Sequence, residues 1–326
     1  MKFNIQRFAS DTGFLKDELA GFVPKLQATE IIKNAVRGSA ILRLSRVELL
    51  ESDNKKFPVM SKGVGAYWVE EGEKIQTSKP AWIFPQINAK KLGVIIPITN
   101  EKLQDSTINV FDEVKTYIAE AFSKAIDSAC FFGTASPFSR NIYGACMEKG
   151  MAIAVGTNAK LDLDISDLMS LVEEQGFDAG AFAADISFKN SLRKLRDVNG
   201  NQLYFQGAAA NVDYDTLYSL PIDFSRSGAW DKTKALAICG DFKNYSIVGI
   251  RSQIEYKILD EATLTTVTTD DGKPLSLAER DLLGIRATMR LGFLPVKEEA
   301  FAVLVPAGTT IPSTDPTPSI QTDTTP

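Results

Sequence analysis

The residues best suited to chemistry lie in one short stretch, Asp162-Leu163-Asp164-Ile165-Ser166-Asp167. Paired aspartates at this spacing could hold Mg²⁺ or form a phosphoaspartate. The competing reading is structural. Asp164 or Ser166 caps a helix running through Val172, and the carboxylates complement its N-terminal dipole. A phosphotransfer centre would also need lysine and serine partners at the strand ends of a parallel sheet. None can be placed, so capping is the expected role. The chain contains no histidine, which excludes Ser-His-Asp and Cys-His mechanisms and imidazole-bound zinc. Cys130, Cys146 and Cys239 are widely spaced, with no CxxC pair. Apolar neighbours around Cys130 and Cys239 mark core thiols rather than reactive ones. Gly63-Val64-Gly65 begins like a dinucleotide loop, but Trp68 stands where the third glycine belongs. Neither GxxxxGK[ST] nor GxSxG occurs. No catalytic, cofactor-binding or metal-binding residue is assigned, and no enzyme activity is expected.

The bulk numbers agree with a soluble protein of more than one structural unit. The chain has 326 residues, 44% hydrophobic and 24% charged, more than an average single domain. Its 36 basic and 41 acidic residues give net −5, which excludes a nucleic-acid binder that works through overall charge. No apolar run is long enough to cross a bilayer, and the start lacks the apolar core of a secretion signal. Synthesis in the cytoplasm and no membrane partner are expected.

Local patterning supplies the elements. An amphipathic helix is expected from Gln27 to Arg37, and a strand from Ala40 to Leu50. Asp105-Ser106 starts the strongest helix. Val110, Val114, Ile118, Phe122, Ile126 and Ala129 keep helical spacing over about five turns, and Gly133 stops it. Short helices and strands alternate over 139–245, including a helix from Ser187 to Arg196 and strands Gly180–Ala184 and Ala235–Cys239. Two strands then show period-two alternation. Val248, Ile250, Ile254, Tyr256 and Ile258 oppose Arg251, Gln253, Glu255 and Lys257; Ile285, Ala287, Met289, Leu291 and Phe293 oppose Arg286, Thr288 and Arg290. Such strands have one covered and one solvated face, and the long helix is the natural cover. Twelve of the last 21 residues are Pro or Thr and none is basic, so 306–326 is expected to be a disordered tail.

Residues 63–93 differ in kind. Tyr67, Trp68, Trp82 and Phe84 sit among charges: Glu70, Glu71 and Glu73 on one limb, Lys90 and Lys91 at the end of the other. Lys74 to Pro80 between them, including Lys79, is turn chemistry. Two extended limbs around a polar tip form a long hairpin, and a lone hairpin is marginal in water, so it must rest on something else.

The order of these parts resembles the major capsid proteins of tailed phages with the Hong Kong 97 fold. The resemblance is carried by Ala66-Tyr67-Trp68-Val69-Glu70-Glu71-Gly72-Glu73-Lys74-Ile75, by Ile98 through Ser106, by Leu195 through Gly200, by Tyr218 through Ile222 and by Arg290-Leu291-Gly292 with Glu299 through Leu304. It spans about residues 25–305. It implies an α+β subunit with an N-terminal arm (1–26), a peripheral domain (27–62, 94–138 and 246–305) holding the long spine helix, an extended loop (63–93) and an axial domain (139–245). Such subunits form pentamers and hexamers of an icosahedral shell around packaged double-stranded DNA, without sequence-specific binding. The loop lies over a neighbouring subunit, which makes Tyr67, Trp68, Glu70, Glu71, Glu73, Lys74, Lys79 and Trp82 the candidate contact residues. The implied partners are further copies of the chain, a portal protein and a scaffolding protein, and the implied destination is the virion capsid.

Lys2 through Ser10 is similar to N-terminal extensions on capsid and scaffold proteins of phages of Gram-positive hosts, cut after a phenylalanine. By analogy the cut falls between Phe8 and Ala9; an uncleaved start is the alternative. About 25 residues precede the matched region and lack helical periodicity, so a separately encoded scaffold is expected. Two other readings compete: an encapsulin-type compartment shell, and a histidine-free enzyme using Asp162, Asp164 and Asp167.

Overall fold

A computed structural model of the chain describes residues 38–312, apart from 63–67, 70, 72–73, 75–76, 78, 80, 102–109, 159, 197–214 and 269–271. The arm, the Gln27–Arg37 helix, the Phe8-Ala9 processing site, Tyr67, Glu70, Glu73 and residues 313–326 lie outside the described residues.

The long helix organises the subunit. It runs Val110–Phe132 (α2), after a short helix Ala40–Leu44 (α1). Ile118, Phe122, Ile126 and Cys130 recur every four residues and are buried. Gly133 ends α2 with φ +67, and a Cβ there would fall 2.5 Å from Asn141 Nδ2. Asn141 is occupied capping the next helix, Ile142–Glu148 (α3), through the Gly144 N–H at 2.7 Å. Glycine at 133 meets both a backbone and a packing requirement.

One face of α2 meets a four-stranded sheet built from Arg46–Leu49 (β1), Ser246–Leu259 (β12), Leu282–Pro295 (β15) and Lys90–Thr99 (β6), in that order. β1 and β12 are parallel, and the other pairs antiparallel. The two alternating strands are thus hydrogen-bonded neighbours, with Tyr256 opposite Ala287 and Ile258 opposite Ile285. Val248, Ile250, Ile254 and Tyr256 of β12, and Ile285, Ala287, Met289, Leu291 and Phe293 of β15, form the helix-facing side with Leu92, Val94, Ile96 and Ile98 of β6; Ile258, expected on the covered face, is exposed near the end of β12.

A six-stranded sheet has the order Ala152–Ala154 (β7), Phe301–Val305 (β16), Ala237–Gly240 (β11), Ala181–Asp185 (β8), Leu220–Ser225 (β10) and Asp215–Leu217 (β9). Helices Leu161–Glu174 (α4) and Phe188–Arg193 (α5) accompany it, and Phe242–Tyr245 (α6) leads into β12. β9 and β10 join through Tyr218 and Ser219, both at positive φ (50 and 66), the twist a two-residue hairpin turn requires. One continuous apolar core runs through both sheets and α2. A small pair, Thr263–Thr268 (β13) with Pro274–Ser276 (β14), has its own cluster of Leu264, Leu275 and Leu277.

Several sequence expectations are corrected. Ala40–Leu44 is helical and only Arg46–Leu49 extended, because Ser39 and a distant carboxylate cap the first turn. Phe301–Val305, grouped by sequence with the return strands at 246–305, hydrogen-bonds β11 and β7 inside the six-stranded sheet. All five of its residues are buried, so no alternation marked it. The helix expected from Ser187 to Arg196 is confined to Phe188–Arg193, and Ser187 makes no side-chain cap. The tail does not start at 306: Ile311 packs against the main core.

Candidate assembly interface

The hairpin extends beyond its expected bounds of 63–93. Asn54–Lys56 (β2) pairs with Gln86–Asn88 (β5), and Val59–Lys62 (β3) pairs with Ala81–Ile83 (β4), both antiparallel. Lys90 and Lys91 are not hairpin residues; they open β6 of the main sheet. The hairpin's base is seated on the face of that sheet opposite α2. There Leu50, Ile87, Ile247 and Leu294 form a second small core, flanked by Phe57, Ala89 and Val296. Two glycines make room. A Cβ on Gly292 would stand 2.3 Å from Ile87 Cγ2, and one on Gly249 would stand 2.6 Å from Leu50 Cδ1. The base therefore rests on its own subunit.

The distal half does not. Among the described residues, no core cluster draws on positions 58–86. Trp68 is fully exposed and Trp82 is 50% exposed, with Met60, Ile83 and Phe84 exposed beside it. Met60 pairs directly with Trp82 across β3–β4. Glu71, Lys74 and Lys79 are exposed as well. Of the eight candidate contact residues, five are described, and all five face solvent in the single subunit. Exposed tryptophans beside other large apolar groups form the kind of surface that a partner buries.

The aspartate cluster has a different role. α4 begins at Leu161 with Lys160 at its N-cap, and neither Asp164 nor Ser166 is that cap. Asp164 lies in the first turn, fully buried, and accepts from the backbone N–H of Gly156 at 2.9 Å and of Asn158 at 2.8 Å. Asp167 accepts from Asn158 Nδ2 at 2.7 Å. These carboxylates tie the preceding loop to its helix. The three cysteines are buried, and desolvation pushes each thiol up from its ordinary range.

Sequence reading missed a buried polar junction behind the hairpin. Asp127, buried near the C-terminal end of α2, accepts from Ser39 Oγ at 2.6 Å and from the N–H groups of Ala40 (3.1 Å) and Ile41 (3.2 Å). A carboxylate 88 residues away thereby caps α1. Arg43 of α1 reaches Asp223 of β10 at 2.5 Å. α1 is thus tied to the spine helix by one aspartate and to the six-stranded sheet by another.

Burial raises the Asp223 carboxyl from 3.8 to about 6; Arg43 opposes the rise and the nearby Asp127 charge adds to it. A folded carboxyl held above its unfolded value binds its proton more tightly in the folded state. Its contribution is full below pH 3.8 and lost as pH rises through about 6. The gap corresponds to stability on the order of 3 kcal/mol. Asp223→Asn is expected to flatten the fall in stability between roughly pH 4 and pH 6, as measured by urea unfolding across that range. An unchanged slope would show that Asp223 does not titrate there.

A long helix beneath a four-stranded sheet, a six-stranded sheet sharing its core, and an excursion whose tip has no core of its own together define a shell-building subunit of the Hong Kong 97 type. The comparisons agree. Residues 20–305 match the phage capsid family. The major capsid protein of Staphylococcus phage 80alpha is 34% identical over 318 residues, covering 94% of this chain and 95% of that protein. A probable major capsid protein of Mycobacterium phage D29 is 23% identical over 288 residues, covering 87% of this chain and 90% of that protein. A solved chain from Microbacterium phage Oxtober96 superposes with TM-score 0.72 at 25% identity, over 82% of this chain and 91% of that one. The chain belongs to the phage capsid family, as a major capsid protein of the tailed-phage type.

Proposed function

We propose that this chain assembles as pentamers and hexamers into an icosahedral shell around double-stranded phage DNA, with the distal hairpin as the main contact to a neighbouring subunit. The observation that carries this reading is the seated base and the distal half beyond it: an apolar surface around Trp68 and Trp82 that no core cluster of the described residues covers. In this reading the six-stranded unit is the axial domain, turned toward the capsomer axis. The four-stranded sheet with α2 is the peripheral domain. Tyr67, Glu70 and Glu73 join Trp68, Glu71, Lys74, Lys79 and Trp82 in the contact. The partners are a separately encoded scaffolding protein, a portal protein and the packaged genome, held without sequence-specific contacts. Synthesis is in the host cytoplasm, and Phe8-Ala9 is the N-terminal processing site.

The test is expression with and without the phage's scaffolding protein, followed by electron microscopy. Closed uniform shells are expected with the scaffold and few without it. Efficient uniform shells from the chain alone would remove the scaffold from the proposal. A persistent small oligomer under both conditions would overturn the shell itself.

A further inference from the structure

β6 is the outermost strand of the four-stranded sheet, and among the described residues it pairs with β15 alone. A strand so placed turns the N–H and C=O groups of every second residue away from the sheet. Along Lys90–Thr99 those outward groups have no backbone partner among the described residues. Ten residues make a long open edge. The usual guards against edge-to-edge association are present, with Lys90 and Lys91 exposed at one end and Pro97 near the other. They account for the charge, but not for what lies beside it. Next to the two lysines a cavity of about 100 Å³ opens between the sheet and α2, lined by Leu92, Ala125, Ile126, Ala129, Pro137 and Phe138. Its walls are apolar, and it has room for one branched aliphatic side chain. Neither lysine has an ion pair among the described residues. Arg290, opposite Lys91 in the ladder, is met by Asp53 at 3.2 Å, so the lysines are the unopposed charges of this corner.

We propose that β6 accepts an added strand: an extended acidic segment of a partner protein pairs with Lys90–Ile96, seats one aliphatic side chain in the cavity and meets Lys90 and Lys91 with its carboxylates. Three features converge on that ligand at one end of one strand. The open ladder supplies main-chain hydrogen bonds, the cavity selects an aliphatic side chain on the α2 side, and the lysines select the sign of charge. Pairing stops at Pro97, which has no N–H to give. Other occupants match fewer of these features. A nucleic acid would use the lysines, but neither the ladder nor the apolar cavity. The sheet's other edge in a second copy, β1, is four residues long and carries both signs in Arg46 and Glu48. The site lies wholly within one subunit, so it stands independently of the shell-forming reading.

The experiment titrates the unassembled full chain against a fluorescein-labelled nine-residue peptide, with two glutamates at each end and a core of valine, threonine and one central leucine. Fluorescence anisotropy reads affinity, and amide hydrogen exchange reads where the peptide lies. Saturable binding is expected, with slowed exchange at Lys90–Ile96. The same peptide with lysines for glutamates should bind at least about tenfold more weakly. Lys90→Glu with Lys91→Glu should reverse that preference. Ala125→Leu, which fills the cavity, should weaken binding of the acidic peptide at least about tenfold. If circular dichroism shows that this variant does not fold, a peptide with alanine for its central leucine replaces it and should lose affinity by the same factor. Absence of saturable binding overturns the proposal. Equal affinity for the acidic and basic peptides does so too, as does indifference to filling the cavity or removing the leucine. Exchange at Lys90–Ile96 that is already slow without peptide and unchanged by it would assign the edge to a second copy of the chain and overturn the peptide partner. Binding to a bare oligonucleotide, competing with the peptide at equal charge, would reassign the lysines to nucleic acid and overturn it as well.

Discussion

Deleting residues 74–79 is expected to abolish shell formation while leaving a folded subunit. Lys74, Thr77 and Lys79 are exposed, and no described core cluster uses the distal hairpin. Its loss should change subunit stability by less than about 0.5 kcal/mol, as for other surface changes. Assembly responds differently, because each weak contact is repeated around every capsomer and the losses multiply. The yield of closed shells should fall at least about a hundredfold. Electron microscopy and sedimentation read the shells; urea unfolding and limited proteolysis read the subunit. Loss of cooperative unfolding in the deleted chain would make the tip an internal element of the fold and sink the prediction.

Asp127→Ala is expected to be among the most damaging single substitutions. It removes the acceptor for the Ser39 hydroxyl and for the N–H groups of Ala40 and Ile41, all buried. Buried donors left without partners, together with a lost helix cap, should cost about 2–4 kcal/mol. Asp127→Asn retains one acceptor oxygen but turns an amide N–H₂ toward donors, so it should recover only part of that loss. Denaturant unfolding is best compared in the tip-deleted background, where assembly does not mask subunit stability. Asp127→Ala within about 0.5 kcal/mol of its parent would show that α1 is held by packing alone.

Asp127 also shows where sequence reading stops. Local periodicity reports on a residue's near neighbours along the chain, so α2, β12 and β15 were legible from their own residues. The helix repeats buried positions every three or four residues, and each half-solvated strand alternates. The hairpin was legible too, since exposed aromatics, charges and turn residues are properties of a short stretch. What joins distant segments was not. Ser39 meets Asp127 across 88 residues, and Arg43 meets Asp223 across 180. Neither aspartate has a local sequence signal separating it from a solvated one. β16 was misplaced for a related reason: a strand buried on both faces has no alternation, and only its pairing with β11 and β7 assigns it to a sheet. The hairpin's support was likewise decided by tertiary contact, through Gly249 and Gly292 beneath Leu50 and Ile87. The outer face of the four-stranded sheet combines both levels. Period-two spacing alone sets Arg251, Lys257, Arg286 and Arg290 on the side away from the core. Only the register of the sheet placed Lys257 against Arg286 and Arg290 against Lys91, because cross-strand repulsion depends on which residues the ladder brings together.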